Sequence, residues 1–169
     1  MNRSTSICLV DYDPEWPSRF QLEAEKIRNA LGPKALRLEH TGSTSVPGLA
    51  AKPIIDMLLV VAHSAHENSY APALEAIGYT LRVREPEWHE HRMFKGPENN
   101  INLHIFSDAC PEIDRVLLFR DWLRGNAADR DLYARTKLAL AQKEWGSVDD
   151  YASAKTEVIE EILRRAMTR

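Results

Sequence analysis

The chain has 169 residues, 44% of them apolar and 28% charged, with a formal charge of −3 and only two cysteines. That balance excludes a polybasic nucleic-acid or lipid binder held by bulk charge, and the absence of any C-x-x-C excludes a disulfide or zinc-ribbon scaffold. The length suits one domain spanning 1–169. Met1 to Ser6 is short and polar, and the longest apolar run, Ile54 to Ala62, is interrupted by Asp56 and too short to cross a bilayer. A cytoplasmic protein is the expectation, with no membrane partner.

Ile7 to Val10 reads as a short strand, closed by Asp11-Tyr12-Asp13-Pro14. Asp13 before Pro14 is a helix-start signal, with the carboxylate as cap and the proline at the first helical position. Trp16, Phe20, Ala24, Ile27 and Leu31 then recur at helical spacing until Gly32-Pro33, a core stripe. Ala35 to His40 predicts a strand entering a glycine-containing turn, and Pro53 to Val61 a buried central strand. A helix over Ser69 to Ile77 and a strand over Tyr79 to Val83 follow. Met93-Phe94-Lys95 and Ile101 to Phe106 flank the turn Gly96 to Asn100 as a hairpin. From Pro111 onward three amphipathic helices are expected, separated at Gly125-Asn126 and Gly146-Ser147. The expected organisation is a mixed α/β core to about residue 108 and a helical part over 109–169.

The most informative stretch runs from Glu39 to Asp56. Gly42 and Gly48 can take positive φ, while Ser43, Thr44 and Ser45 carry hydroxyl donors. Five residues separate the glycines and Leu49 follows the second, so this is not the Walker phosphate loop. A strand–Gly-Ser–short helix–strand–Asp arrangement places phosphate near exposed backbone N–H groups. It also returns Asp56 to the same edge, where it can hold a divalent cation on those phosphates. Lys52 beside the loop can neutralise phosphate.

The stretch His40-Thr41-Gly42-Ser43-Thr44-Ser45-Val46-Pro47-Gly48-Leu49-Ala50-Ala51-Lys52-Pro53-Ile54-Ile55-Asp56 resembles the signature of the GrpB (UPF0157-type) family, which is assigned to the nucleotidyltransferase fold superfamily. Tyr12-Asp13-Pro14-Glu15-Trp16, Gly78-Tyr79, Arg92-Met93-Phe94, Leu103-His104-Ile105 and Phe119-Arg120-Asp121-Trp122-Leu123-Arg124 extend the likeness over nearly the whole chain, as do Tyr133, Lys137, Tyr151 and Lys155. The resemblance implies an α+β fold: a nucleotidyltransferase-like mixed sheet flanked by helices, with a helical C-terminal subregion. It also implies an Asp-x-Asp/Glu pair and a third acid on a neighbouring strand. Gly42-Ser43 and Asp56 match that pattern, but Leu58 stands at the second acid and His104 on the strand expected to carry the third. Two-metal catalysis needs clustered carboxylates, so one Asp with a His departs from it.

Six histidines are present. Strand alternation lets His89 and His91 share a face, and the family likeness gives His40 and His104 a site role. Arg120 and Arg124, Tyr133 and Lys137, and Tyr151 and Lys155 are each four apart on expected helices. Alone, each pair is a solvated face; all three matching one family are expected to converge on the cleft, joined by Arg92 from the hairpin. The leading expectation is an enzyme that binds a nucleoside triphosphate with Mg2+, or another divalent metal, and transfers a nucleotidyl group to a small-molecule acceptor. An ATP-dependent ligase is a close variant. In that reading Asp56 and His104 are catalytic and Asp56 holds the metal. Phosphate and substrate fall to His40, Gly42, Ser43, Thr44, Ser45, Lys52, Arg92, Arg120, Arg124, Lys137, Tyr151 and Lys155. Two other readings stand beside it: a non-catalytic nucleotide- or phosphometabolite-binding module with a degenerate acid site, and a His-based metallohydrolase. Direct nucleic-acid binding is not expected.

Overall fold

The structure is a computed structural model and describes residues 8–98, 100–142 and 148–168. Five strands form one mixed sheet: β1 (Arg37–Thr41), β2 (Ile55–Val61), β3 (Thr80–Glu85), β4 (His91–Lys95) and β5 (Ile101–Ser107). Their order is β1-β2-β5-β4-β3, antiparallel except for the central parallel pair β2 and β5. The helices are α1 (Trp16–Leu31), α2 (Ala71–Ala76), α3 (Pro111–Gly125), α4 (Ala127–Ala141) and α5 (Val148–Met167). None among the described residues is long and apolar enough to cross a membrane.

Strand alternation divides the core into two layers. On one face Leu38, Met57, Leu59, Phe94, Leu103 and Ile105 pack against Trp16, Phe20, Ala24 and Ile27 of α1 and Leu74 of α2. Here the predicted stripe of α1 does what its spacing requires. On the opposite face Leu58, Val60 and Phe106 meet Ile113 and Leu117 of α3. Beyond the sheet edge a third cluster joins Val46 and Leu49 of the glycine-turn segment to Leu123, Tyr133, Val158 and Ile162 of α3, α4 and α5. The helical part is thus anchored both to the sheet and to the turn.

Several expected elements differ in detail. In place of a strand over Ile7 to Val10 there is an isolated bridge, Val10 to Ala51; Ile7 lies outside the described residues. The Asp13 carboxylate does not cap α1. It accepts the N–H of Glu15 at 2.9 Å, forming a local turn two residues on, so the helix starts at Trp16 with Pro17, not Pro14, in its first turn. The helix expected over Ser69 to Ile77 divides into a 3-10 turn, Glu67–Ser69, and α2, because Pro72 lacks an N–H and is accommodated only in a first turn. The break at Gly146-Ser147 falls outside the described residues.

Leu58 is almost wholly enclosed, with 1% of its surface exposed. Restoring an acid there would place a carboxylate under the apolar side chains of α3. Leu58→Asp is therefore expected to lower the unfolding free energy by more than about 3 kcal/mol, and Leu58→Ala by about 2–5 kcal/mol. Urea denaturation of the two variants checks both values.

Candidate functional site

The site begins where β1 ends. Gly42 takes φ 70°, and Ser43–Ser45 then form one 3-10 turn, with Ser45 N–H donating to the Gly42 carbonyl at 3.1 Å and Val46 N–H to that of Ser43 at 3.1 Å. Asp56 sits directly across from Thr41 on β1 and from Asn102 on β5. A Cβ on Gly42 would lie 2.5 Å from Asp56 Oδ2. Only glycine permits both this backbone conformation and this approach of main chain to carboxylate.

Three of the expected ligand-binding residues prove to hold the turn. His40 is buried, stacked on Phe20 with centroids 5.0 Å apart, and its Nε2 is hydrogen-bonded to Thr44 Oγ1 at 2.9 Å. Burial first, then the Arg124 charge, pushes its pKa down to about 4, so the imidazole is neutral. Arg120 donates to Glu39 at 2.7 Å and to the His40 carbonyl at 3.0 Å, and Arg124 donates to the Ser45 carbonyl at 2.9 Å. The two arginines share one face of α3, as their spacing predicts, and clamp β1 and the turn. Arg120 also lines a cavity of about 250 Å³ beside Phe119, Tyr133 and Lys155.

On one side of Asp56 lies a polar cavity of about 130 Å³ lined by Ser43, Thr44, Lys52, Asn102, Lys137, Tyr151 and Lys155. Lys137 Nζ donates to Ser43 Oγ at 2.9 Å and to the Ala50 carbonyl at 2.7 Å, and lies 5.0 Å above the Tyr133 ring. Lys155 and Lys52 approach the Tyr151 ring at 4.8 and 5.3 Å. The i, i+4 pairs on α4 and α5 therefore converge as expected, each as an ammonium over a phenol ring. Burial lowers all three lysines. It brings Lys137 to about 7, helped by the charges of Lys155 and Lys52, and Lys155 to about 8, helped by Lys52 and opposed by Asp56. Asn102 presents a buried Oδ1 without a hydrogen-bond partner among the described residues.

On the other side of Asp56 a cleft of about 400 Å³ is walled by Leu58, Trp88, Phe106 and Val116. Asp56 Oδ1 lies 3.4 Å from His104 Nε2, His104 Nδ1 3.0 Å from His91 Nε2, and His91 Nδ1 2.7 Å from Glu85 Oε1. A neutral His91 that donates from Nδ1 to Glu85 accepts at Nε2 from His104 Nδ1–H, which turns His104 Nε2 toward Asp56. Trp88 was not among the residues expected here, spacing did not single out Glu85 from the neighbouring glutamates, and His91 was paired with a different histidine. Strand alternation was the available signal, but it paired His91 with His89. His89 instead lies in the turn before β4 with φ 55°, and the partner of His91 is His104 across the sheet. The same alternation sends Arg92 to the opposite face, where it donates to Glu67 at 2.6 Å and to the Glu90 carbonyl at 2.8 Å. The expectation that Arg92 joins the cleft is not met.

No three His, Cys, Asp or Glu side chains among the described residues are grouped to hold a metal, so the metallohydrolase reading finds no ligand set. Two catalytic ions do not fit the donors present: Leu58 is core, and Asp56 alone does not supply the carboxylate ligands that two ions need. A single Mg2+ fits the chemistry of the donors better, since Asp56 and the unpartnered Asn102 Oδ1 are both hard oxygens and Mg2+ commonly takes its remaining ligands from phosphate and water.

A mixed sheet with a Gly-Ser turn opposite an aspartate, flanked by helices, is a nucleotidyltransferase-like fold. Cid1 poly(U) polymerase with Mg 3′-dATP bound superposes with a TM-score of 0.56 at 13% identity, over 78% of this chain and 44% of that one. The GrpB protein model matches residues 6–165, and the chain belongs to the GrpB family. UPF0157 protein BH1888 of Halalkalibacterium halodurans is 61% identical over 163 residues, covering 96% of this chain and 84% of that protein. The crystal structure of conserved protein GrpB from Enterococcus faecalis superposes with a TM-score of 0.80 at 36% identity, over 94% of this chain and 98% of that one.

Gly42→Ala is expected to cost about 1–3 kcal/mol in urea denaturation, because strain and clash add. Gly48→Ala, also at positive φ but with open space around it, should cost only about 1 kcal/mol. A phosphate ligand in this cavity would bind the ammonium forms of Lys137 and Lys155. Since their pKa values are lowered to about 7 and about 8, affinity should be full below pH 7 and fall as pH rises through 7 and 8. Calorimetric titration with ATP across that range checks the sign.

Proposed function

We propose that the cleft binds a nucleoside triphosphate and that the protein transfers a nucleotidyl group from it to a small-molecule acceptor. The observation that carries this reading is the convergence of Lys52, Lys137, Lys155 and Ser43 on a cavity bordered by Asp56, a place suited to a polyphosphate. The Mg 3′-dATP held by Cid1, a protein of the same fold, supports the choice of ligand. Asp56 and Asn102 are the residues that would hold Mg2+, which when bound supplies Lewis-acid polarisation of a phosphoryl oxygen.

The chain's own groups then divide the work. The turn and the lysines grip the β- and γ-phosphates and keep pyrophosphate as it leaves. The histidine side receives the acceptor, whose hydroxyl or amine attacks the α-phosphorus as the bond to the bridging oxygen breaks. His104 Nε2, next to Asp56, takes the proton, while His91 and Glu85 orient the ring. Activation of an acceptor carboxylate for ligation uses the same parts. The enclosure of Leu58 favours a second reading, a nucleotide- or phosphometabolite-binding module without turnover.

Pyrophosphate release from nucleoside triphosphates, screened against hydroxyl, amine and carboxylate acceptors, separates the two. Under the first reading, Asp56→Asn should reduce release about 100-fold or more while the protein stays folded. Binding with no release for any acceptor would leave the module reading.

A further inference from the structure

We infer that in this chain the lysines take over the charge neutralisation that a second metal ion would supply, so that the polyphosphate is held without an obligatory divalent cation. This rests on the proposed triphosphate site and concerns what fills it. Three ammonium groups, Lys52, Lys137 and Lys155, face the cavity, and Asp56 is the one carboxylate among its described lining. They are close enough for their charges to oppose one another, Lys137 against Lys155 and Lys52, and Lys155 against Lys52. While Lys137 and Lys155 are protonated the cavity therefore carries a surplus of positive charge, which attracts a polyanion.

The geometry removes the alternatives. Carboxylates that would reverse the charge balance are missing, because the second-acid position is Leu58, sealed under Ile113 and Leu117 of α3. Lys137 cannot turn out to solvent: it is 2% exposed and tied to Ser43 Oγ and the Ala50 carbonyl, so its amine is fixed beside the turn. Ser43 Oγ accepts from that ammonium and is also hydrogen-bonded to the Tyr133 phenol, so the hydroxyl is held in place at the cavity wall. Lys155 and Lys52 approach the same Tyr151 ring, so both ammonium groups are held at one side of the cavity. A metal-bridged site gathers acids to bind cations that in turn bind phosphate. This one presents cations directly.

The test is calorimetric titration of the full chain with ATP and with inorganic triphosphate, in excess EDTA and in excess MgCl2. Affinity in EDTA is expected to stay within about fivefold of that in MgCl2. Lys52→Ala and Lys155→Ala, chosen because neither side chain is fully buried, should each weaken binding in EDTA by about tenfold or more. Binding seen only with MgCl2 would overturn the inference and leave the proposed function standing. Binding in neither condition would overturn both. Binding in EDTA that is unchanged in the Lys52→Ala, Lys155→Ala double variant would place the anion elsewhere and overturn the inference.

Discussion

The approach of the Gly42 main chain to the Asp56 carboxylate governs the rest of the cleft. With a side chain at position 42, the loop would have to lift away from β2, carrying Ser43 and its bond to Lys137 with it. The approach in turn depends on the register of β1 on β2, which sets Thr41 opposite Asp56, and on the parallel pairing that sets Asn102 on its other flank. His40, Thr44, Arg120 and Arg124 secure the same contact from behind by holding the turn and the strand end. Much of the polar investment of α3 therefore goes into shaping backbone, and less into touching ligand.

Asp56 also divides the cleft by charge. Lysines, a serine and an amide lie on one side; histidines, carboxylates and aromatic rings lie on the other. That division suits a reaction in which an anionic donor and a separate acceptor meet at one point. Each compartment has its own supporting layer: phenol rings under the ammonium groups, and Phe106 and Trp88 against His91.

The fold was largely legible in the residues. The stripe from Trp16 to Leu31 and the apolar run ending at Val61 have periods that fix their elements, and the i, i+4 pairs on α4 and α5 converge because helical spacing is rigid. Less legible was the purpose of each polar group. His40 and the two α3 arginines look like ligand contacts in a linear reading because histidine and arginine serve both ligands and loops; only burial and partners distinguish the uses. Arg92 was misplaced because strand parity depends on where β4 begins. The same uncertainty hid the His91–His104 pair, a contact between strands that no spacing within one strand reveals.

The phenol ring of Tyr151 and the ammonium of Lys155 reach the turn from α5, roughly a hundred residues farther along the chain than Gly42. The wall that α5 gives the cavity is therefore far from the turn along the chain. Closing that gap is a long-range event, and a polyanion bridging Ser43 and Lys155 would act as a tether across it. Occupancy would then be read out far from the cleft, as slower fraying of α5. A ligand in the cavity would thus be a structural cross-link between the glycine turn and α5.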